Sequence, residues 1–136
     1  MENALNPTAA TGPLQQPGRR SVLIIEDNVD AGESLVALLE LLGHRAEWAD
    51  LGVTGVARAG ALQPDLVLVD VGLPDIDGYE VARQLRGAPQ TQGLRLVALT
   101  GYSAPEDRAR ALVAGFDGHL AKPIGLADLE ALLAPR

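Results

Sequence analysis

VLIIEDN, residues 22–28, sets four aliphatic residues directly before two carboxylates. A short unbroken apolar run of this kind reads as a strand buried on both faces, the sort that parallel sheets contain. The acids that follow, Glu26 and Asp27, repel one another, and burial raises the pKa of each. Something positive has to meet them there.

Outward from this stretch, strand-like runs alternate with helix-like ones. Strands are expected at residues 45–49 (RAEWA), 66–70 (LVLVD), 94–100 (LRLVALT) and 118–122 (GHLAK). Leu35, Leu38, Leu39 and Leu42 recur at the spacing of one helix face, and Gly43 suits the stop after it. Val53, Val56 and Ala57 repeat the pattern more weakly, and Val81 and Leu85 mark a third helix over residues 78–86. Ser103 and Glu106 form a capping-box pattern around Pro105, with Ala109, Leu112 and Val113 as the expected apolar face and Gly115 as the end. Leu126, Leu129 and Leu133 are expected to face inward on the last helix. Strict strand–helix alternation means an α/β fold, a parallel sheet with helices on both faces.

Such sheets place their sites at the carboxyl ends of the strands. There the sequence puts Glu26 and Asp27, then Asp70, Thr100 and Lys122, while the second strand ends near Ala49 and Asp50. Three clustered acids attract a hard, oxygen-seeking cation such as Mg2+. A carboxylate beside that cation can attack phosphorus, and Lys122 and Thr100 can meet the charge that develops on phosphoryl oxygens. Each residue also has a plain structural use: Asp27 as a helix cap, Asp70 as a turn residue, Thr100 as a strand residue, Lys122 as a solvated lysine. The joint arrangement favours the chemistry.

Bulk properties narrow the function further. The chain has 136 residues, 47% hydrophobic and only 3% aromatic, so aliphatic residues must build one core. The net charge of −7 argues against non-specific nucleic-acid binding. No apolar run approaches the roughly 18 residues of a membrane span. Arg19 and Arg20 resemble a twin-arginine export signal, but the apolar run behind them is short and broken by Glu26 and Asp27. The absence of cysteine excludes disulfides and fits a reducing, cytoplasmic setting. Residues 1–19, with three prolines and no periodic apolar face, read as a disordered tail before a domain over residues 20–136.

VLIIEDN, DLVLVDVGLPDIDGYEVARQLR, LVALTGY and GFDGHLAKPI, in this order and spacing, resemble the receiver domains of bacterial two-component response regulators. The likeness covers about residues 21–134 and includes features of receivers attached to hybrid kinases. It implies a doubly wound, flavodoxin-like five-stranded sheet of order 2-1-3-4-5. It implies that Asp70 accepts a phosphoryl group from a phosphohistidine of a sensor histidine kinase or histidine phosphotransfer protein. Mg2+, or Mn2+, would be held by Asp27, by Glu26 through water, by Asp70 and by the backbone carbonyl of Gly72. Thr100 resembles the switch hydroxyl and Lys122 the phosphate-binding lysine, with a cis bond to Pro123. His119 stands where the family usually has a switch aromatic, and Tyr102 is placed to shield the site. His44 reads as a solvated edge residue and Trp48 as packing.

Other classes fit less well. A haloacid-dehalogenase-type phosphatase needs an acid two residues after its nucleophile, and position 72 is glycine. Neither a dinucleotide fingerprint nor a P-loop is present. A pseudo-receiver, a binding module never phosphorylated, is marked by a lost acceptor or lysine, and Asp70 and Lys122 are both here. No catalysis is expected beyond the chain's own phosphorylation and dephosphorylation. With the sequence ending soon after the last helix, output is expected through protein contact with a downstream target at the fourth helix, fifth strand and fifth helix.

Overall fold

The computed structural model describes residues 18–101 and 105–134. Most of the expected tail, and the expected roles of Tyr102 and Ser103, lie outside the described residues. The strands are β1 (Ser21–Ile25), β2 (Arg45–Ala49), β3 (Leu66–Asp70), β4 (Arg95–Thr100) and β5 (Gly118–Ala121). The helices that alternate with them are α1 (Val29–Leu41), α2 (Gly52–Leu62), α3 (Gly78–Gly87), α4 (Pro105–Ala114) and α5 (Leu126–Leu132). All strand pairs are parallel, in the order β2-β1-β3-β4-β5.

Successive residues of the inner strands feed opposite faces of the sheet. Leu23, Ile25, Val67, Val69, Leu96 and Ala98 pack under α2, α3 and α4. Val22, Ile24, Leu66, Leu68, Val97 and Leu99 pack with Leu35 and Leu39 of α1, Leu129 of α5 and Leu133 at its C-cap. A strand buried on both sides cannot alternate polar and apolar residues, which is why VLII and LVLV carry no period of two. Each such side chain contributes roughly 1.5–3 kcal/mol on full burial.

Two helices turn differently from the apolar spacing. On α4 the buried residues are Ala111 and Ala114, while Leu112 is 64% and Val113 89% exposed. On α2 the buried positions are Gly52, Gly55 and Ala59, with Val53 and Ala57 facing out. The physical reason is close approach. A Cβ on Gly55 would stand 2.4 Å from Ile25 Cδ1, so small residues make the closest approach to the sheet, with Val56 and Leu62 packed beside them. Leu126 is also 37% exposed, leaving Leu129 and Leu133 as the inward residues of the last helix.

His44 is half-buried rather than a solvated edge residue. Its Nδ1 accepts the backbone N–H of Arg20 at 2.9 Å, closing the entry to β1. Burial, then the charges of Arg20 and Arg19, hold its pKa below the usual imidazole value.

At the edge opposite the carboxyl ends, Arg86 binds two connections at once, the one before β4 and the one before β5. Its guanidinium donates to the carbonyls of Gly115 (2.8 Å), Gln92 (2.8 Å) and Leu94 (2.5 Å), and pairs with Asp117 at 2.8 Å. Gly115 has φ +117°, and a Cβ there would meet Arg86 Cγ at 2.7 Å, so glycine is required on two grounds.

Candidate functional site

The strand order reverses between β1 and β3, and the residues after these two strands share one crevice. Glu26, the residue after β1, is fully buried. Its N–H donates to the Ala49 carbonyl at 3.0 Å, and its own carbonyl accepts the Trp48 indole Nε1–H at 2.7 Å. Asn28 donates its N–H to Glu26 Oε2 at 3.1 Å and caps α1 by accepting from Ala31 N–H at 2.9 Å. Since Asn28 provides the cap, Asp27 is not used for it, and its carboxylate is exposed.

Asp70 ends β3 and is 7% exposed. Its Oδ1 accepts the Gly72 N–H at 3.0 Å. Gly78 closes the floor beneath it, because a Cβ there would lie 2.5 Å from the Asp70 carbonyl oxygen. At Gly72 a Cβ would be in ordinary contact with Asp70 Oδ1 at 3.7 Å, so glycine leaves this rim of the site open by choice of side chain, not by necessity.

Lys122 follows β5, tied down by its N–H to the Thr100 carbonyl at 2.8 Å. Its bond to Pro123 is cis. Its ammonium stands 2.8 Å from Glu26 Oε1 and 3.3 Å from Asp70 Oδ1. The positive group that the acid pair demanded is therefore a lysine in the first instance, and it meets Glu26.

One carboxylate oxygen from each of Glu26, Asp27 and Asp70 lies within 4.8 Å of the others. Burial pushes the Glu26 carboxyl up, against Lys122 and the Asn28 amide, and Asp70 adds to the rise. Burial also opposes the ionisation of Asp70, but the Gly72 amide, Glu26 and Lys122 together hold it below the usual carboxylate range. Lys122, despite its own burial, is pushed up by Glu26 and Asp70 and stays charged. Glu26 Oε1 is buried, and the Lys122 ammonium meets it at 2.8 Å. Three carboxylate oxygens gathered this closely suit a divalent cation.

Thr100 is buried at the end of β4, one residue beyond the Leu99 that pairs with Asp70. His119 is half-buried and pairs in register with Ala98, so it lies on the sheet face that α4 covers.

Two supports escaped the sequence reading. Trp48 is a hydrogen-bond donor to the acid pair's backbone and not packing alone. Asp75, in the loop after β3, caps α2 from a distance, accepting the N–H groups of Gly52 and Val53 at 2.9 Å each. The signal for the second was Leu51, which stands at the N-cap of α2 and cannot cap it.

The family model described as the response regulator receiver domain matches residues 22–134. The chain belongs to the response regulator receiver domain family. This receiver is 37% identical over 108 residues to a probable transcriptional regulatory protein, SilR, of Salmonella typhimurium, covering 79% of this chain and 46% of that one. It is 37% identical over 116 residues to the sensor histidine kinase AtsR of Burkholderia thailandensis, covering 82% of this chain and 19% of the kinase. It thus spans half or less of these curated relatives. Among solved structures, the receiver domain of a sensor histidine kinase from Pseudomonas aeruginosa superposes with TM-score 0.77 at 32% identity, covering 84% of this chain and 93% of that one. That domain has a magnesium ion coordinated in its active-site cleft. The chemotaxis protein CheY4 of Vibrio cholerae superposes with TM-score 0.79 at 26% identity, covering 83% and 94%. No helix among the described residues of the receiver is long and apolar enough to cross a membrane.

Proposed function

We propose that this receiver takes a phosphoryl group onto Asp70 from the phosphohistidine of a sensor histidine kinase or histidine phosphotransfer protein. The observation that carries the reading is the convergence of Asp70, Glu26, Asp27 and Lys122 at one crevice, with Asp70 kept ionised. An Asp70 carboxylate oxygen forms the new bond to phosphorus, the P–N bond breaks, and the imidazole leaves. Asp27, Glu26, Asp70 and the Gly72 carbonyl would hold Mg2+ or Mn2+, which, when bound, offsets the charge gathering on the phosphoryl oxygens. Lys122 would supply a second positive charge, and Thr100 a hydroxyl to bind the arriving group. Tyr102 and His119 complete the reading as the shielding residue and as the switch position.

Turnover is confined to the chain's own phosphorylation and dephosphorylation. The signal leaves through α4, β5 and α5 by contact with a downstream protein, and the exposed pair Leu112 and Val113 on α4 supports this choice of face. The reading places the chain in the cytoplasm, with neither nucleic acid nor membrane as its direct partner.

The test is labelling by a small phosphodonor in the presence of Mg2+. Wild type should form an alkali-labile acyl phosphate, and Asp70→Asn should form none, because a neutral amide is a poor nucleophile. Undiminished labelling of the variant would move the acceptor elsewhere.

A further inference from the structure

We propose that Trp48 is a positioning residue for the acid pair: its indole N–H sets the backbone at Glu26 from a slot that Gly32 alone leaves open. The inference rests on the phosphoacceptor reading above and adds a residue outside the crevice to it.

Both backbone polar groups of Glu26 are committed to β2, its N–H to the Ala49 carbonyl at 3.0 Å and its carbonyl to Trp48 Nε1–H at 2.7 Å. The second bond is the unusual one. At this point the chain has left the ladder of β1, and Asn28 has yet to start α1. A carbonyl at such a junction has no regular partner, and the indole provides it. The same peptide unit joins Glu26 to Asp27. Fixing its carbonyl therefore fixes the direction in which Asp27 leaves the strand, and with it the placement of the exposed carboxylate relative to Asp70.

The indole reaches the carbonyl because α1 has no side chain in the way. A Cβ on Gly32 would lie 2.4 Å from Trp48 Cε2 and 2.5 Å from Nε1, far inside any contact distance. Gly32 sits in the first turn of a helix, where glycine is unfavourable by roughly 1 kcal/mol relative to alanine. The glycine and the tryptophan form a matched pair, and α1 begins resting on the ring that holds the acids. Groups behind a metal ligand set both its orientation and its affinity.

A tryptophan that only filled space would be expected to affect stability without changing metal affinity. Because the chain has one tryptophan, its 15N-labelled protein shows one indole N–H resonance. In a Mg2+ titration of the full chain, that resonance should move with the same midpoint as the Asp27 amide. An indole signal unmoved while Asp27 saturates would overturn the inference.

Trp48→Phe keeps an aromatic ring and removes the donor. It should raise the Mg2+ concentration for half-maximal labelling by acetyl phosphate roughly tenfold, the low end of what groups behind a metal ligand contribute. The rate at saturating Mg2+ should remain close to that of wild type. Gly32→Ala, which displaces the ring without touching it chemically, should shift the Mg2+ dependence the same way and serves if Trp48→Phe does not fold. Wild-type Mg2+ dependence in a folded variant overturns this inference alone. A wild-type protein that neither binds Mg2+ nor takes label overturns the phosphoacceptor reading, and this one with it.

Discussion

Lys122 stands closer to Glu26 than to Asp70, 2.8 Å against 3.3 Å, so its nearest partner is not the proposed phosphoacceptor. An ammonium shared in this way ties the two acids together, and on the proposed reading it turns toward the new oxygens once Asp70 is phosphorylated. Lys122→Ala should still accept label on Asp70 but lose the response. In NMR spectra its phosphorylated form should lack the shift changes that wild type shows on α4 and β5. Wild-type changes in the variant would remove Lys122 from the switch.

Glu26→Gln tests the buried acid. A carboxyl whose folded pKa is raised stabilises the fold below its unfolded pKa and loses that contribution as pH rises through the folded value. Above that folded value the ionised, buried Glu26 therefore works against the fold. Without divalent metal, Glu26→Gln should melt above wild type at pH 7, with the gap closing as pH falls toward 4.5. Asp70 has the opposite sign: its contribution is present above 3.8 and is lost as pH falls through its lowered folded value. Asp70→Asn should accordingly melt below wild type at pH 7. Thermal melts in chelator across this range check both signs.

Asp75→Ala should remove the remote cap of α2 and cost about 1 kcal/mol, the usual worth of a capping carboxylate. Its pKa is lowered by the Val53 amide first, against a small burial effect, with the Gly52 amide adding. The contribution is thus present above 3.8 and fades as pH drops through the lowered value. Urea denaturation at pH 7 and at pH 3 should show a difference from wild type at the first and a smaller one at the second.

Glycines on opposite sides of the packing should respond in opposite directions. Gly78→Ala forces a Cβ against the Asp70 backbone and should destabilise by roughly 1–3 kcal/mol, as overpacking does. Gly60→Ala, within α2 and with open space around it, should stabilise by about 0.4–1 kcal/mol. Urea midpoints of the two variants decide the matter.

The orientation of α4 is open to the same kind of test. Val113→Ser should leave stability within about 0.5 kcal/mol of wild type, and Ala111→Leu should lose roughly 1–3 kcal/mol. If the serine variant proves the weaker, Val113 is in the core and the helix is turned about its axis.

The sheet and most of the crevice were legible because aliphatic runs and charged strand ends leave clear marks in a sequence. LVLVD announces both the buried β3 and the acid at its end. The faces of α2 and α4 were not legible. Where Ala111 meets the sheet, the buried side of α4 carries the least apolar surface, and counting large residues selects the wrong side; on α2, where Gly55 does so, Val56 packs inward as expected but Val53 and Ala57 do not. His44 was misread, and Trp48 read only in part, for a related reason. Their roles depend on one ring nitrogen finding a backbone partner many residues away, which no local pattern records.

Arg86 gives the response a direction. The arginine fastens Gly115, directly after the last turn of α4, to the base of α3 and to the connection before β4. A rod clamped at one end sweeps its widest arc at the other. Displacement of α4 on phosphorylation should therefore grow from Ala114 back toward Pro105, with amide exchange rising along the same gradient. Arg86→Ala would release the clamp and let the helix slide as a whole, turning a graded lever into a loose strut.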